Sequence, residues 1–409
     1  MANLTQSAAG ESIGHSMNRD WKSGNLKIEF YESESCGLRV NRLACGPVQG
    51  IDTSNPMNFP ITQKSRWSRK VSQCFSLALL LMVAGSSSRA ADQAPLRAGM
   101  IGLDTSHVPA FTKLFNSPKA TGDISGIRIV AGYPGGTDIP ASRDRVGKFT
   151  QELRGMGIQI VDSIPKLLEQ VDVVLLESVD GRIHLQEAIP VIKAGKPLFI
   201  DKPVAGSLAD AIAIYDLAKE RKVPCFSSSS LRFSPGIQEL RKNERLGSIA
   251  GAETWGPCTY QEGTPDMFFY GIHGIEPLFV LMGTGCESVT RIQTKDTDLV
   301  SGVWKDGRIG SYRGIRRNRA DFGAVAFGSK AILQSGREGG YEELCREVGR
   351  FFKTGKVPVS PDETIEIVAF MEAADESKRQ GGAPVPLGPL MAKAKAEAAE
   401  KLKGTGDGK

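Results

Sequence analysis

From residue 96 onward the chain alternates short apolar runs with stretches whose apolar residues recur at helical spacing. Runs at 97–102, 127–131, 158–161, 171–176, 197–200 and 223–227 read as strands, and 108–115, 164–170, 183–194 and 208–222 read as helices between them. Strands apolar on both faces, alternating with helices, indicate a parallel sheet covered on both sides. Past about residue 233 the rhythm changes. Segments 249–255, 288–295 and 299–305 alternate apolar with polar residues, as strands with one wet face do, and Asp306-Gly307 is a hairpin signal leading into 308–316. The expected architecture is thus α/β throughout: a parallel-sheet domain, then an α/β domain with an open, largely antiparallel sheet. Ser360-Pro361-Asp362-Glu363 is a capping box with proline in the first helical position, opening a helix that Gly381-Gly382 stops after 379. Residues 393–403 read as a charged, partly frayed helix.

These patterns divide the chain at 95–230, 231–390 and a charged C-terminal tail at 391–409. The stretch 57–90 has the three parts of a signal peptide: basic residues at Lys64, Arg66, Arg69 and Lys70, an apolar run at 75–84, and small residues before Ala91. That run is about half the ~20 residues a spanning helix needs, so export, to the periplasm, is expected rather than a stable membrane anchor. Residues 1–56 show no sustained period and read as a disordered extension upstream of a start at Met57.

Composition adds little to this picture except by exclusion. Of the net +5, the first 90 residues hold ten Lys/Arg against six Asp/Glu, which leaves the rest nearly neutral. A neutral body without a basic stripe gives no footprint for nucleic acid. Cys225, Cys258, Cys286 and Cys345 fall in the body with no C-x-x-C spacing, and buried free thiols are expected.

The candidate chemistry lies at strand ends. Where a dinucleotide-binding protein places G-x-G-x-x-G, this chain has Gly102-Leu103-Asp104-Thr105-Ser106-His107, which keeps the first glycine only. The second strand closes on Ala131-Gly132-Tyr133-Pro134-Gly135-Gly136, without the acidic residue that clamps a ribose. Asp104 and Ser106 also suit plain helix capping. The sharper signal runs from His184 through Gly195-Lys196-Pro197 to Asp201-Lys202-Pro203. It puts a lysine at the carboxyl end of a parallel strand, where ligands of open α/β sheets sit. Such a lysine can orient a substrate hydroxyl or shuttle its proton.

This block resembles the glucose–fructose oxidoreductase, inositol dehydrogenase and rhizopine-catabolism (Gfo/Idh/MocA) family, which usually has Glu-Lys-Pro there. Supporting stretches are Ser230-Leu231-Arg232-Phe233, Tyr270-Gly271-Ile272-His273-Gly274-Ile275-Glu276, Phe351-Phe352-Lys353-Thr354-Gly355 and Glu372-Ala373-Ala374, so the resemblance covers most of 96–387. It implies a Rossmann domain followed by the open-sheet domain, a bound NAD or NADP, hydride transfer at a sugar or cyclitol carbon, and a homo-oligomer built through the sheets. Carried over residue by residue, it implies Lys202, His273 and Glu276 as catalytic groups. Around the cofactor it implies Gly102, Leu103, Asp104, Ser106, His107, Ser178, His184, Asp201 and Lys202. Phe269 stands four residues before His273, where many members have Asp.

Two other readings share these residues. One is a non-redox carbohydrate-binding or regulatory relative that has lost the cofactor. The other keeps the cofactor and uses transient oxidation to cleave a glycosidic bond. His107, His184, His273 and Asp104 lack zinc-like local spacing, and no metal site is expected.

Overall fold

The computed structural model describes residues 94–403. The expected signal peptide, the extension before Met57 and the last residues of the tail lie outside these. Among the described residues no helix is long and apolar enough to cross a membrane.

The first sheet has six parallel strands: β1 (Leu96–Ile101), β2 (Ile127–Tyr133), β3 (Gln159–Ile160), β4 (Val173–Leu176), β5 (Leu198–Asp201) and β6 (Cys225–Ser228). Their order is β3-β2-β1-β4-β5-β6, so the winding reverses between β1 and β4 and opens a crevice at their carboxyl ends. β4 and β5 are buried along their whole length, which is why they read as unbroken apolar runs. Six helices link or flank these strands: α1 (His107–Phe115), α2 (Pro140–Arg143), α3 (Val146–Gly155), α4 (Ile164–Leu168), α5 (His184–Lys193) and α6 (Leu208–Glu220). The turn out of β1 needs its glycine. Gly102 has φ of +80°, and a Cβ there would lie 2.1 Å from Ser178 Oγ.

Helix α7 (Pro235–Lys242) leads into a seven-stranded sheet of β7 (Ile249–Pro257), β8 (Cys286–Gln293), β9 (Thr297–Trp304), β10 (Ile309–Ile315), β11 (Gly323–Gly328), β12 (Ile332–Gln334) and β13 (Val385–Pro386). The order is β12-β11-β7-β10-β9-β8-β13, and only the β7–β10 pair is parallel. The largely antiparallel expectation holds. One face packs on α8 (Ile272–Met282) and on α10 (Pro361–Arg379), while the other leaves Ile292, Val303, Ile309, Phe327 and Ile332 exposed. Ser360 Oγ accepts from the Glu363 amide with Pro361 in the first turn, as the capping box requires. Every residue of α8 is buried, so it carries no polar face and no helical period betrays it in the sequence.

Two late helices return to the first sheet. In α9 (Glu342–Thr354), Leu344, Cys345, Val348 and Phe351 join Met100, Phe111, Phe199 and Phe226 in one apolar cluster. α11 (Leu387–Lys403) lies along α6. Ala394 and Ala398, one turn apart, are small enough to bring the two helices close, and Lys401 pairs with Asp210 at 2.9 Å. What reads as a frayed tail is therefore a docked helix. Cys225, Cys258, Cys286 and Cys345 are all free and buried.

Candidate active site

A cavity of about 390 Å³ opens at the carboxyl edge of the first sheet. Its floor is the N-terminus of α1, with Thr105, Ser106 and His107, together with Lys202 just past β5. Tyr270 reaches it from just ahead of α8, His273 from the start of α8, Tyr341 from ahead of α9, and Arg145 from the segment before α3.

Lys202 is only 7% exposed, and burial pulls its ammonium below the usual lysine range against the opposing pull of Asp201. His273 lies at the other wall. Its Nδ1 sits 2.7 Å from Ser229 Oγ, which leaves Nε2 without a partner among the described residues. Burial, then the charge of Lys202, holds its pKa well below the ordinary histidine value, so the ring is neutral near pH 7. An ammonium beside a neutral imidazole with one open nitrogen can hold an oxygen and move its proton.

The residues expected around a cofactor fall into two groups. Ser106, His107 and Lys202 line the cavity. Asp201 stands behind them, with Oδ2 2.7 Å from His107 Nδ1. Burial raises its pKa, but the His107 contact outweighs this and holds it below the ordinary value. The others are turned inward. Leu103 is wholly buried beneath Gly132. Asp104 is also wholly buried, and accepts from Ser142 Oγ at 2.6 Å and the Val179 amide at 2.9 Å. Ser178 Oγ donates to Glu187, and both His184 nitrogens face backbone carbonyls, of Ser178 and Val204. Among these, Gly102 shapes the turn and Asp104 locks the β2–α3 connection against it.

Glu276, expected as catalytic, does not line the cavity. It accepts from Ser228 Oγ, the Ser229 amide and Arg232 Nε at 2.9, 2.9 and 3.0 Å. Those bonds use both carboxylate oxygens, so Glu276 ties α8 to the end of β6 and thereby sets Ser229 against His273. Its partners lie 44–48 residues away in sequence, and no local pattern reveals them.

Sequence reasoning missed Arg145, Tyr270 as a wall residue, and Tyr341. Arg145 Nε donates to the Ala141 carbonyl, while its buried Nη2 has no partner. Burial lowers its pKa and Asp104 opposes this. Ser106 makes no side-chain cap to α1, and the backbone amides of Thr105 and Ser106, just ahead of the helix, have no hydrogen-bond partner among the described residues, so they also remain for a ligand. An unpaired guanidinium nitrogen and a helix N-terminus on one cavity are the donors an anionic phosphate needs. On that observation the residues present fit a dinucleotide at its phosphate and nicotinamide ends.

Residues 142–229 match the family described as an oxidoreductase family with an NAD-binding Rossmann fold, Gfo/Idh/MocA. The matched stretch contains Lys202 and begins beyond the degenerate turn. The chain is 30% identical over 128 residues to YceM of Salmonella typhimurium, a protein named as an oxidoreductase. That match takes in 31% of this chain and 40% of YceM. Its fold is that of GenD2 from gentamicin A biosynthesis, solved in complex with NAD. There the TM-score is 0.58 at 17% identity, over 71% of this chain and 96% of that one. It is also that of scyllo-inositol dehydrogenase from Lactobacillus casei, solved with NAD(H) and scyllo-inositol. There the TM-score is 0.58 at 13% identity, over 72% and 99%. The family match over 142–229 agrees with the Gfo/Idh/MocA resemblance read from the sequence.

Proposed function

We propose that this protein is an NAD(P)-dependent oxidoreductase acting on a hydroxyl or carbonyl carbon of a sugar or cyclitol. One observation carries the reading: Lys202 and His273, from different elements and 71 residues apart, meet as buried groups on one cavity of about 390 Å³ at the crevice edge. The bound nicotinamide would supply the hydride acceptor or donor. Arg145 and the amides of Thr105 and Ser106 would hold the diphosphate, and Lys202 would hold the reacting oxygen. With its Nδ1–H given to Ser229 Oγ, His273 accepts the hydroxyl proton at Nε2, and the protonated ring returns it in the reverse direction. The family name over 142–229, and the nicotinamide and cyclitol in the two solved relatives, support this chemistry. Two expectations from the sequence stand beside it as proposals: export to the periplasm, and a homo-oligomer joined through the exposed face of the second sheet.

A second reading, a carbohydrate-binding relative without the dinucleotide, draws on the β2–α3 connection. Ser142 of that connection bonds Asp104, and Gly135 comes so near the turn that a Cβ on it would lie 3.4 Å from Gly102 Cα. Together they occupy space beside the phosphate turn, and no acidic residue ends β2. Thermal shift of protein shown by mass spectrometry to be empty separates the two. A dinucleotide at a hundred times its dissociation constant should add about 2.7 kcal/mol of stability. No shift with NAD, NADH, NADP or NADPH, alongside a shift with a sugar, would favour the second reading.

A further inference from the structure

We infer that His107, Glu177 and Asp201 form a binding site for one divalent transition-metal ion of the zinc–manganese class, beneath the floor of the cavity. His107 opens α1, Glu177 follows β4 directly and Asp201 ends β5. Since β4 and β5 are neighbouring parallel strands, their carboxyl ends deliver both carboxylates to one place, and α1 brings the imidazole over them. A ligand atom from each of the three lies within 4.8 Å of the others. All three residues are buried, Glu177 completely.

The carboxylates are short of partners. Neither oxygen of Glu177 has a hydrogen-bond partner, and Asp201 Oδ1 has none. Asp201 Oδ2 alone is engaged, 2.7 Å from His107 Nδ1. Two adjacent carboxylates in a dry interior repel each other and lose their hydration, so the fold tolerates them only if a proton or a cation neutralises the pair. Lys202 attracts both electrostatically, yet it satisfies neither Glu177 oxygen. Glu177 lies off the cavity wall, and hydride chemistry at Lys202 and His273 gives it no task.

One imidazole and two carboxylates suit Zn²⁺, Mn²⁺ or Fe²⁺. They are too few oxygens for Ca²⁺. Three protein ligands leave a position open, and His107 also lines the cavity, so that position adjoins the ligand space. The inference does not rest on the nucleotide reading, because Glu177 and Asp201 lie off the cavity wall and their unpaired oxygens are there whatever occupies the cavity.

The test uses the whole chain, stripped with EDTA and titrated with zinc sulfate, manganese chloride and cobalt chloride by calorimetry. The cobalt visible spectrum and the melting temperature are followed alongside. Expected are saturable binding of about one ion per chain, a raised melting temperature, and a cobalt spectrum without thiolate charge transfer. Glu177→Gln should weaken binding at least about a hundredfold, the upper end of what loss of an outer-shell partner costs. If that variant does not fold, nitrogen coupling from one histidine in the electron-spin-echo spectrum of the manganese-loaded wild type replaces it as support. No saturable binding by the stripped wild type overturns the site. So does thiolate ligation, or unchanged affinity in both Glu177→Gln and Asp201→Asn. An infrared band of a protonated carboxyl group that vanishes in Glu177→Gln would identify a proton as the neutralising partner instead.

Discussion

The phosphate turn itself and the groups that surround the cavity handle buried charge in opposite ways. At the phosphate turn, Asp104 stands where a second glycine is usual, and both its oxygens are taken up internally by Ser142 and Val179. Arg145 Nη2 on the same cavity is left over, as are Asp201 Oδ1 and both Glu177 oxygens beneath its floor, and His273 keeps one nitrogen open. Buried polar atoms in folded proteins are nearly always paired, so unpaired ones gathered at a cavity point to a ligand there. A residue can thus stand at a motif position and be architecture, as Asp104 is. Another can stand outside every motif and face the ligand, as Arg145 does.

The largest test of this contrast is Lys202→Met, which keeps length and removes charge. Turnover on a converted sugar should fall at least about a hundredfold with the fold retained by circular dichroism, since a positioned acid–base group contributes ~10²–10⁴-fold. Near-wild-type turnover would make Lys202 another architectural residue and erase that contrast.

A smaller effect should come from the inward-turned group. Burial lifts the Glu187 carboxyl to about 7, only partly offset by its bond from Ser178. The folded state then holds a proton that the unfolded chain releases near its ordinary value. Its contribution to stability is full below that value and is lost as pH rises through about 7. Unfolding free energies from urea melts should fall between pH 5 and 8 in the wild type, with the Glu187 share of that fall on the order of 2–3 kcal/mol. They should fall less in Glu187→Gln. Asp375, lifted to about 7 mainly by burial, acts in the same sense and keeps the variant's curve from going flat. Identical pH slopes in the two proteins would mean that Glu187 is ionised and paired in the fold.

Period and turn chemistry made the two sheets legible: β4 and β5 as unbroken apolar runs, the hairpin at Asp306-Gly307, the cap at Ser360. Lys202 and His273 were legible because short local patterns surround them. Arg145 was not, since the segment between β2 and α3 has no period and its role arises only where the chain folds back over the turn. Glu177 ends an apolar strand and reads as a boundary. Glu276 misled in the opposite sense: its position beside His273 suggests chemistry, while its partners Ser228 and Arg232 come from another part of the chain. The docking of α9 on the first sheet was hidden for the same reason, because a helix's partner is not written in its own period.

The most direct measurement is nucleotide affinity of Arg145→Met beside that of Asp104→Asn, by calorimetry at one salt concentration. Losing a charge-assisted hydrogen bond of roughly 1.5–3 kcal/mol should weaken Arg145→Met about ten- to a hundredfold. Asp104→Asn should lower the melting temperature while leaving affinity within about threefold, a change below ~0.7 kcal/mol. Undiminished affinity in Arg145→Met, with the main loss in Asp104→Asn, would contradict the assignment of the unpaired side as the ligand side.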